Sequence, residues 1–301
     1  MVHQYTERHL QLEDWGTDMN AERAAVQRLT EADIAAALPA RPSHAHKGSF
    51  GSVLVIGGGP GMPGAVRLAA ESALRVGAGR VSVASLPQHL AAVVGSRPEL
   101  MFVAAETGQH IAAALPQAQV VAIGPGLGIG EWAQTLLQVV LDKVHPAQHL
   151  VVDADALNLL AALPKPLHRE DWILTPHPGE AARLLGVSVA DVQADRVAAA
   201  AALQQRWGGV VVLKGAGTLI AGPGQVMALC DRGNPGMAIP GMGDVLTGAV
   251  AGILAQCRQP WLAARAAVLA HALAGDLCAQ RGQRGVLASE IAQALPRVIN
   301  P

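Results

Sequence analysis

Short apolar runs alternate with longer segments of helical spacing along most of the chain. Runs rich in β-branched and other apolar residues occur at 53–56, 81–84, 119–123, 149–152, 172–174 and 210–213. Segments with helical spacing occur at 64–76, 108–115, 131–141, 155–161, 190–207, 244–256 and 261–280. Near-continuous apolar strands that alternate with helices are typical of a mainly parallel sheet covered on both faces. The pattern therefore predicts an α/β fold.

One segment and one terminus depart from this alternation. Residues 210–229 contain the short apolar runs VVVLKG, TLIAG and QVMAL around Gly and Pro turns, which predict a few antiparallel strands. The first 27 residues are polar and weakly periodic, and no linker or internal repeat interrupts the rest. We therefore expect an N-terminal extension, residues 1–27, followed by one domain, residues 28–301.

Polar positions add two local predictions. Thr30 and Asp33 have the spacing of a capping box and predict a short helix that ends at Pro39. On the helix predicted at 64–76, Arg67, Glu71 and Arg75 are spaced four residues apart. This spacing places them on one helix face and predicts a solvated stripe.

Composition narrows the class of protein. Of the 301 residues, 51% are hydrophobic and 15% are charged, which excludes a disordered chain. The net charge of −1 argues against a nucleic-acid surface or a basic membrane anchor. Apolar runs fall short of the roughly 20 residues of a membrane span, and the N-terminus lacks the apolar core of a signal peptide. Three cysteines without metal-type spacing are expected to be reduced thiols, so we expect a cytoplasmic protein.

A glycine loop follows the first long strand. Residues 57–64, GGGPGMPG, satisfy G-x-G-x-x-G between a strand and a helix, as in Rossmann dinucleotide sites. However, Pro60 and Pro63 remove N–H groups that would face phosphate, and the next strand, RVSVAS, ends without an acidic residue for a ribose. A Rossmann dehydrogenase is therefore disfavoured. A loop that lets a ligand approach the helix N-terminus and a turn without a ligand both remain open.

Two further predicted strands are followed by candidate functional residues. The turn GPGLG, residues 124–128, could direct backbone N–H groups at a ligand. In VVDADALNLL, Asp155 is the better candidate for the helix cap. Asp153, still on the strand, is the better functional candidate, for Mg²⁺ or a charged ligand, although it could equally be structural.

The chain's next two strands end in charged side chains. In TPHPGE, His177 lies in the turn and Glu180 in the first turn of a helix, where the helix dipole favours an acidic residue whatever its function. In VVVLKGAGT, Lys214 ends an apolar strand. An unpaired lysine is costly in apolar surroundings, so its position predicts a partner anion such as a nucleotide phosphate.

The strongest chemical signal is the segment NPGMAIPGMGDVLTGAVAGILAQ. Asp244 lies in the first turn of a helix that is apolar almost all round, after Gly241 and Gly243. The N–H groups of this turn can bind an anion, and the carboxylate can take a proton from a hydroxyl group, as phosphoryl transfer requires. A helix cap without catalytic function is the alternative.

Taken together, six motifs resemble the ADP/ATP-dependent NAD(P)H-hydrate dehydratases, whose fold is ribokinase-like. In chain order they are HKGSFGSVLVIGG, GPGLG, DADALN, TPHPGE, KGAGT and PGMGDVLTG. The resemblance implies a reaction in which ADP or ATP phosphorylates the hydroxyl group of the S form of hydrated NADH or NADPH, and loss of phosphate restores the nicotinamide. It covers roughly residues 30–300 and is to the dehydratase domain alone, so an epimerase activity is expected on a separate chain.

The resemblance also implies roles for single residues. Asp244 matches the family's base and Gly243 its anion hole. Positions that hold the hydrated dinucleotide are matched by Ala65, Gly126, His177 and Asp244. Positions that hold the adenosine nucleotide are matched by Lys214, Gly215, Ala216, Gly217, Thr218 and Gly243.

Further implications concern metal, assembly and an alternative reaction. Residues 177–180, HPGE, resemble the N-x-x-E magnesium motif of vitamin kinases with His in place of Asn, which makes Glu180 and Asp153 candidate Mg²⁺ ligands. Relatives often form homotetramers. A kinase of the same fold that phosphorylates a vitamin precursor is the main alternative, and a non-catalytic nucleotide-binding regulator is a second one. The choices between ADP and ATP and between NADH and NADPH hydrate stay open.

Overall fold

The strands form one mixed sheet in the computed structural model, which describes residues 26–95 and 97–300. In this part of the chain the strands are β1 (Gln27–Arg28), β2 (Ser52–Ile56), β3 (Arg80–Ser85), β4 (Met101–Ala104), β5 (Val120–Ile123), β6 (His149–Val152), β7 (Trp172–Leu174), β8 (Val210–Leu213), β9 (Thr218–Ala221) and β10 (Ala228–Cys230). Their order is β1-β10-β9-β8-β7-β6-β5-β2-β3-β4. From β8 to β4 all neighbours are parallel, whereas β9 is antiparallel to both β8 and β10. The predicted α/β class and its few antiparallel strands are confirmed.

Helices cover both faces of this sheet. They are α1 (Glu31–Ala37), α2 (Pro63–Arg75), α3 (Leu90–Val94), α4 (Gly108–Ala114), α5 (Glu131–Lys143), α6 (Ala154–Ala161), α7 (Pro178–Leu185), α8 (Val189–Ala194), α9 (Arg196–Trp207), α10 (Met242–Cys257), α11 (Pro260–Cys278) and α12 (Ala288–Ile299). One apolar cluster joins α1, α2, α10, α11 and α12 to one face of the sheet. A second joins α4 to α9 to the other face.

Small residues allow the closest helix contact. Helix α10 packs along α2, where a side chain at Gly248 or Gly252 would collide with the backbone of Ala69 or Ala73. Residues without a β-carbon therefore let the two helix backbones touch. This contact fixes the N-terminus of α10 over the ends of the central strands.

Two local predictions are wrong. The predicted solvated stripe of Arg67, Glu71 and Arg75 is not found. Glu71 is buried and forms ion pairs with both arginines and with Arg97. A buried carboxylate needs charged partners, and here three guanidinium groups supply them, one of them from Arg97 in a distant loop. The helix predicted at 190–207 is two helices, α8 and α9, because Asp195 breaks the first and caps the second at the N–H of Ala198.

The capping-box prediction holds at α1, where the Thr30 N–H donates to the Asp33 carboxylate at 2.7 Å. The predicted extension, residues 1–27, lies outside the described residues except for 26 and 27, and Gln27 already pairs with β10. The domain boundary stays a prediction.

By length and composition alone, the apolar stretch Pro260–Arg281 would suffice to cross a membrane. However, 61% of its most apolar window is buried inside this fold, as in the core helix of a globular protein. Arg265, within that stretch, forms an ion pair with Asp33 of α1 at 2.6 Å.

Candidate active site

The predicted site residues follow strands that end at one edge of the sheet. Strands β2, β5, β6, β7 and β8 are parallel neighbours, so their carboxyl ends lie side by side. The glycine loop follows β2, the GPGLG turn follows β5, and Asp153 follows β6. His177 lies in the turn after β7, and Lys214 directly follows β8. The N-terminus of α10, with Gly243 and Asp244, lies over the middle of this row, since Gly243 approaches both Lys214 and Asp153.

Asp153 is the most constrained carboxylate of the site. Its side chain is 1% exposed and accepts two bonds, one at each oxygen. Lys214 Nζ lies 2.6 Å from Oδ1, and Thr247 Oγ1 donates to Oδ2 at 2.7 Å. Burial favours the neutral amine of Lys214, but Asp153 and Glu180 outweigh it and raise the lysine pKa. The pair therefore ties the end of β6 to the end of β8 and to α10.

The backbone next to Asp153 corrects one prediction. Asp153, and not Asp155, occupies the N-cap position of α6. Ala154 follows with a left-handed φ of +48°, a conformation that costs energy for a residue with a β-carbon. Asp155 instead accepts the N–H of Gly128 at 2.7 Å, which anchors the GPGLG turn. The sequence favoured Asp155 as the cap because nothing in it shows that this side chain binds Gly128, in a different segment of the chain.

His177 and Glu180 cap α7 reciprocally. His177 Nδ1 accepts the N–H groups of Gly179 and Glu180 at 2.9 and 3.3 Å, and Glu180 Oε2 accepts the His177 N–H at 2.8 Å. Acceptance at Nδ1 places the proton of the neutral imidazole at Nε2, which lies 3.3 Å from Glu180 Oε1. The pKa of His177 is lowered, first by burial and then by the charge of Lys214. The pKa of Glu180 is raised, first by burial and also by the charge of Asp153. The imidazole is thus a neutral donor that is about half exposed at the site.

The surroundings of Asp244 disfavour its charge. Burial first, and then the nearby charge of Asp153, raises its pKa from 3.8 to about 7, although Lys214 acts in the opposite direction. A carboxylate with a pKa near 7 can accept a proton at neutral pH. Gly241, with φ +93°, is the N-cap of α10, and the first N–H groups of a helix have no partner within the helix and can bind an anion.

The predicted dinucleotide positions Ala65 and Gly126 are in contact. A β-carbon at Gly126, whose φ is +57°, would lie 3.0 Å from the β-carbon of Ala65 and 2.9 Å from that of Met62. The Gly58 and Gly59 N–H groups donate to the carbonyls of Pro125 and Gly126. These bonds join the two loops into one wall and leave those N–H groups unavailable to a phosphate.

A cavity of about 520 Å³ adjoins Lys214. Its walls are the turn after β8, the segment 230–238 and parts of α10 and α11. All the residues predicted to hold the nucleotide line it: Lys214, Gly215, Ala216, Gly217, Thr218 and Gly243. A volume of this size suits a small-molecule ligand, and Lys214 supplies a positive charge at one end.

The two predicted metal ligands flank Lys214. Glu180 Oε2 lies 3.8 Å from Lys214 Nζ, and Asp153 forms an ion pair with the same atom. The ammonium group of Lys214 therefore lies between the two carboxylates. Among the described residues, no group of three or more His, Cys, Asp or Glu side chains could hold a metal ion. The protein therefore forms no metal cage of its own here, and Mg²⁺ binding by Glu180 and Asp153 stays a prediction.

Two site residues were not predicted from the sequence. Thr247, which holds Asp153, and His271, which lines the cavity, are polar residues within the apolar helices α10 and α11. A polar side chain inside an otherwise apolar helix was the available signal.

Comparison with known proteins places these residues in a wider context. Residues 53–297 match the protein family Carb_kinase, described as NAD(P)H-hydrate dehydratase. The chain is 52% identical over 265 residues to the bifunctional NAD(P)H-hydrate repair enzyme Nnr of Coxiella burnetii, covering 88% of this chain and 53% of that protein. The chain thus spans about half the length of the bifunctional relatives it matches.

Two single-function relatives are covered more completely. The ADP-dependent (S)-NAD(P)H-hydrate dehydratase of Neisseria meningitidis is 41% identical over 85% of this chain and 87% of its own length. The ADP/ATP-dependent NAD(P)H-hydrate dehydratase of Bacillus subtilis, crystallised with ATP and Mg²⁺, superposes with a TM-score of 0.81 at 33% identity, covering 91% of this chain and 97% of that one. A ribokinase-like superfamily protein of Enterococcus faecalis superposes with a TM-score of 0.84 at 32% identity, covering 91% of this chain and 95% of that one, which confirms the ribokinase-like fold.

Proposed function

The chain belongs to the NAD(P)H-hydrate dehydratase family, and from this premise we propose that it restores NADH or NADPH from the S form of their hydrates. ADP or ATP serves as phosphoryl donor. One observation carries the proposal: Asp244, whose pKa is raised to about 7, lies at a helix N-terminus beside the lysine of a ligand-sized cavity. The ring hydroxyl and a phosphoryl group can meet there.

Nucleotide binding is the first step of the proposed mechanism. The cavity takes the nucleoside, and its phosphates extend toward Lys214 and the first N–H groups of α10. The ammonium group and the helix N-terminus both stabilise negative charge. Because Lys214 is itself held by Asp153, its charge is positioned before the nucleotide binds. Positioned donors of this kind stabilise a transferring phosphoryl group without reorganisation.

Proton transfer is the second step. Asp244 takes the proton of the ring hydroxyl group as the hydroxyl oxygen attacks the terminal phosphorus and the nucleotide leaves with one phosphate fewer. The wall formed by Ala65 and Gly126 is proposed to hold the hydrated ring, with His177 Nε2–H as a further donor. Elimination then follows, in which the ring nitrogen supplies electrons, the C–O bond breaks, inorganic phosphate departs and a ring proton is lost.

Several finer features are proposals by resemblance. A Mg²⁺ ion that accompanies the nucleotide phosphates would suit the few carboxylates near Lys214, since Mg²⁺ commonly binds through one or two carboxylates and substrate phosphates. A homotetramer, a cytoplasmic location and an epimerase partner stay predictions.

The test is restoration of the dihydronicotinamide absorbance. Purified protein is incubated with hydrated NADH or NADPH and either ADP or ATP, with a nucleotide-free reaction as control. We expect absorbance to return with release of inorganic phosphate. No recovery with either nucleotide would contradict the proposal. In a parallel reaction that contains a vitamin-precursor alcohol in place of the hydrate, accumulation of its phosphorylated form without phosphate release would instead support the kinase alternative.

A further inference from the structure

Arg196, the first residue of α9, binds the backbone of the turn between β8 and β9, residues 214–217. Its Nη2 donates to the carbonyls of Leu213, Lys214 and Gly217 at 3.2, 3.3 and 3.1 Å. Nη1 also donates to the Lys214 carbonyl, at 3.4 Å. One side chain of α9 therefore holds both ends of a turn that lines the cavity.

The guanidinium group of Arg196 also brings a positive charge to this turn. A β-carbon at Gly215 would lie 2.7 Å from Nη1, so the cation lies directly against the backbone. The bonds to the turn go to neutral carbonyls, and a further bond, at 3.4 Å, goes to the neutral side-chain amide of Gln193. Burial lowers the pKa of Arg196, which shows that holding the charge here is costly.

Peptide geometry fixes the direction of two N–H groups of this segment. The described peptide bonds are all trans, and in a trans peptide the carbonyl and the following N–H point in opposite directions. The Lys214 N–H, opposite to the Leu213 carbonyl, donates to the Pro176 carbonyl at 2.8 Å. The Gly215 N–H, opposite to the Lys214 carbonyl, therefore points away from Arg196.

The turn is left with free donors and engaged acceptors. The N–H groups of residues 215–217 donate to no other group in the part of the chain that the structure describes. Arg196 binds two of the four carbonyls of the turn, and Thr218 Oγ1 donates to that of Gly215 at 3.0 Å. Successive free N–H groups in a turn are suited to bind phosphate oxygens.

We propose that Arg196 is a positioning residue for the phosphoryl donor, which acts by holding the carbonyls of the turn so that its free N–H groups bind the nucleotide phosphates. The inference rests on the proposed function, because it takes the cavity to be the nucleotide site. The hydrated ring is proposed to bind at a different wall, formed by Ala65 and Gly126. Loss of Arg196 should therefore weaken nucleotide binding and leave binding of the hydrate unchanged.

Three variants test this role. Arg196→Met removes all donors and keeps the apolar stem, whereas Arg196→Lys keeps the charge but replaces the planar fork by a single ammonium group. The matched control is Arg206→Met, because Arg206 lies on the same helix and its Nη1 donates to the Leu185 carbonyl at 3.2 Å, outside the turn. Calorimetry with ADP, and steady-state kinetics with ADP and hydrated NADH, are the measurements.

The expected result is a loss confined to the nucleotide. In Arg196→Met the Kd and the KM for ADP should rise about tenfold, because several donors to the turn are lost together. Arg196→Lys should lose part of this affinity. In both variants kcat at saturating ADP and the KM for the hydrate should stay within about threefold of the wild type, as for loss of a binding interaction alone. Arg206→Met should bind ADP as the wild type does.

The opposite results separate the inference from the proposed function. Wild-type affinity for ADP in Arg196→Met, an equal loss in Arg206→Met, or an equal rise in the KM for the hydrate would overturn the inference. If Arg196→Met does not fold, Arg196→Lys decides in the same way. A wild type that binds no ADP would overturn the proposed nucleotide site as well. A wild type that binds ADP without restoring the hydrate would overturn only the proposed reaction and leave the ADP affinities as the test.

Discussion

The end of β6 and the start of α10 each bring one carboxylate to the same site, and the two are treated in opposite ways. Asp153 at the end of β6 is 1% exposed and accepts bonds from Lys214 and Thr247. Asp244 at the start of α10 is partly buried near the charge of Asp153, and its pKa rises to about 7. A paired carboxylate holds other groups in place, whereas a carboxylate with a disfavoured charge can take up a proton.

The pKa of Asp244 also depends on Asp153. The charge of Asp153 is the second cause of the raised pKa of Asp244, after burial, and Lys214 opposes both. The network at β6 therefore sets both the geometry and the electrostatics of the base.

The largest effect is expected from Asp244→Asn on turnover. Loss of the base should lower kcat by about 10²- to 10⁴-fold, because a positioned general base contributes that much. Affinity for ADP should change little, since the groups proposed to hold the phosphates are Lys214 and backbone N–H groups. Turnover of hydrated NADH and calorimetry with ADP measure the two quantities.

The matched control is Asp155→Asn, which removes a neighbouring carboxylate that anchors Gly128. We expect its kcat to stay within about tenfold of the wild type, because Asp155 accepts no proton from substrate. Equal losses in the two variants would mean that Asp244 is not distinguished from its neighbours.

Asp153→Ala should have the largest effect on stability. It leaves Lys214 without its closest partner, and breaking a buried ion pair costs about 3 to 5 kcal/mol. Denaturant unfolding measures the free energy of unfolding. The double variant Asp153→Ala with Lys214→Met removes both charges and should recover part of this loss. If the double variant is as unstable as the sum of the single ones, the pair does not couple the two strands.

Asp244→Asn should affect stability in the opposite direction. Between pH 3.8 and about 7 the folded carboxyl keeps a proton that the unfolded one has lost, so the stability of the wild type falls as pH rises through this window. The amide cannot ionise. The variant should therefore be more stable than the wild type by about 1 to 2 kcal/mol above pH 7, a figure reduced for partial exposure, with no gain near pH 4. Parallel stability curves for the two proteins would exclude the raised pKa.

Thr247→Val should have the smallest effect. It removes one hydrogen bond to Asp153 and keeps the side-chain shape, so unfolding should become easier by about 1 kcal/mol. Thermal or denaturant unfolding at neutral pH measures it. A loss as large as that of Asp153→Ala would show that the hydroxyl, and not Lys214, holds the carboxylate.

Much of the fold was predictable because its strands are buried runs. The run predicted at 149–152 is β6, and 172–174 is β7. By contrast, the edge strand β4 (Met101–Ala104) is partly exposed and carries no continuous buried pattern. The very short β1 depends on its partner β10 and has no signal of its own.

The site was predictable where its residues are contiguous. Lys214 to Thr218 form the turn after β8 and the first residue of β9, and all of them line the cavity. Partnerships between distant segments were not predictable: the bond of Asp155 to Gly128 and that of Thr247 to Asp153 join residues that only the fold brings together. The unpartnered Nε2 of His271 likewise becomes visible only when its surroundings are known.

The most direct test of Asp244 as the base is the pH dependence of kcat/KM with hydrated NADH and saturating ADP. A base must be ionised to accept a proton, so the rate should rise about tenfold per pH unit at low pH and level off above its pKa. The rising limb should bend near pH 7. A profile already level at pH 5, as for a carboxylate with an ordinary pKa, would contradict it.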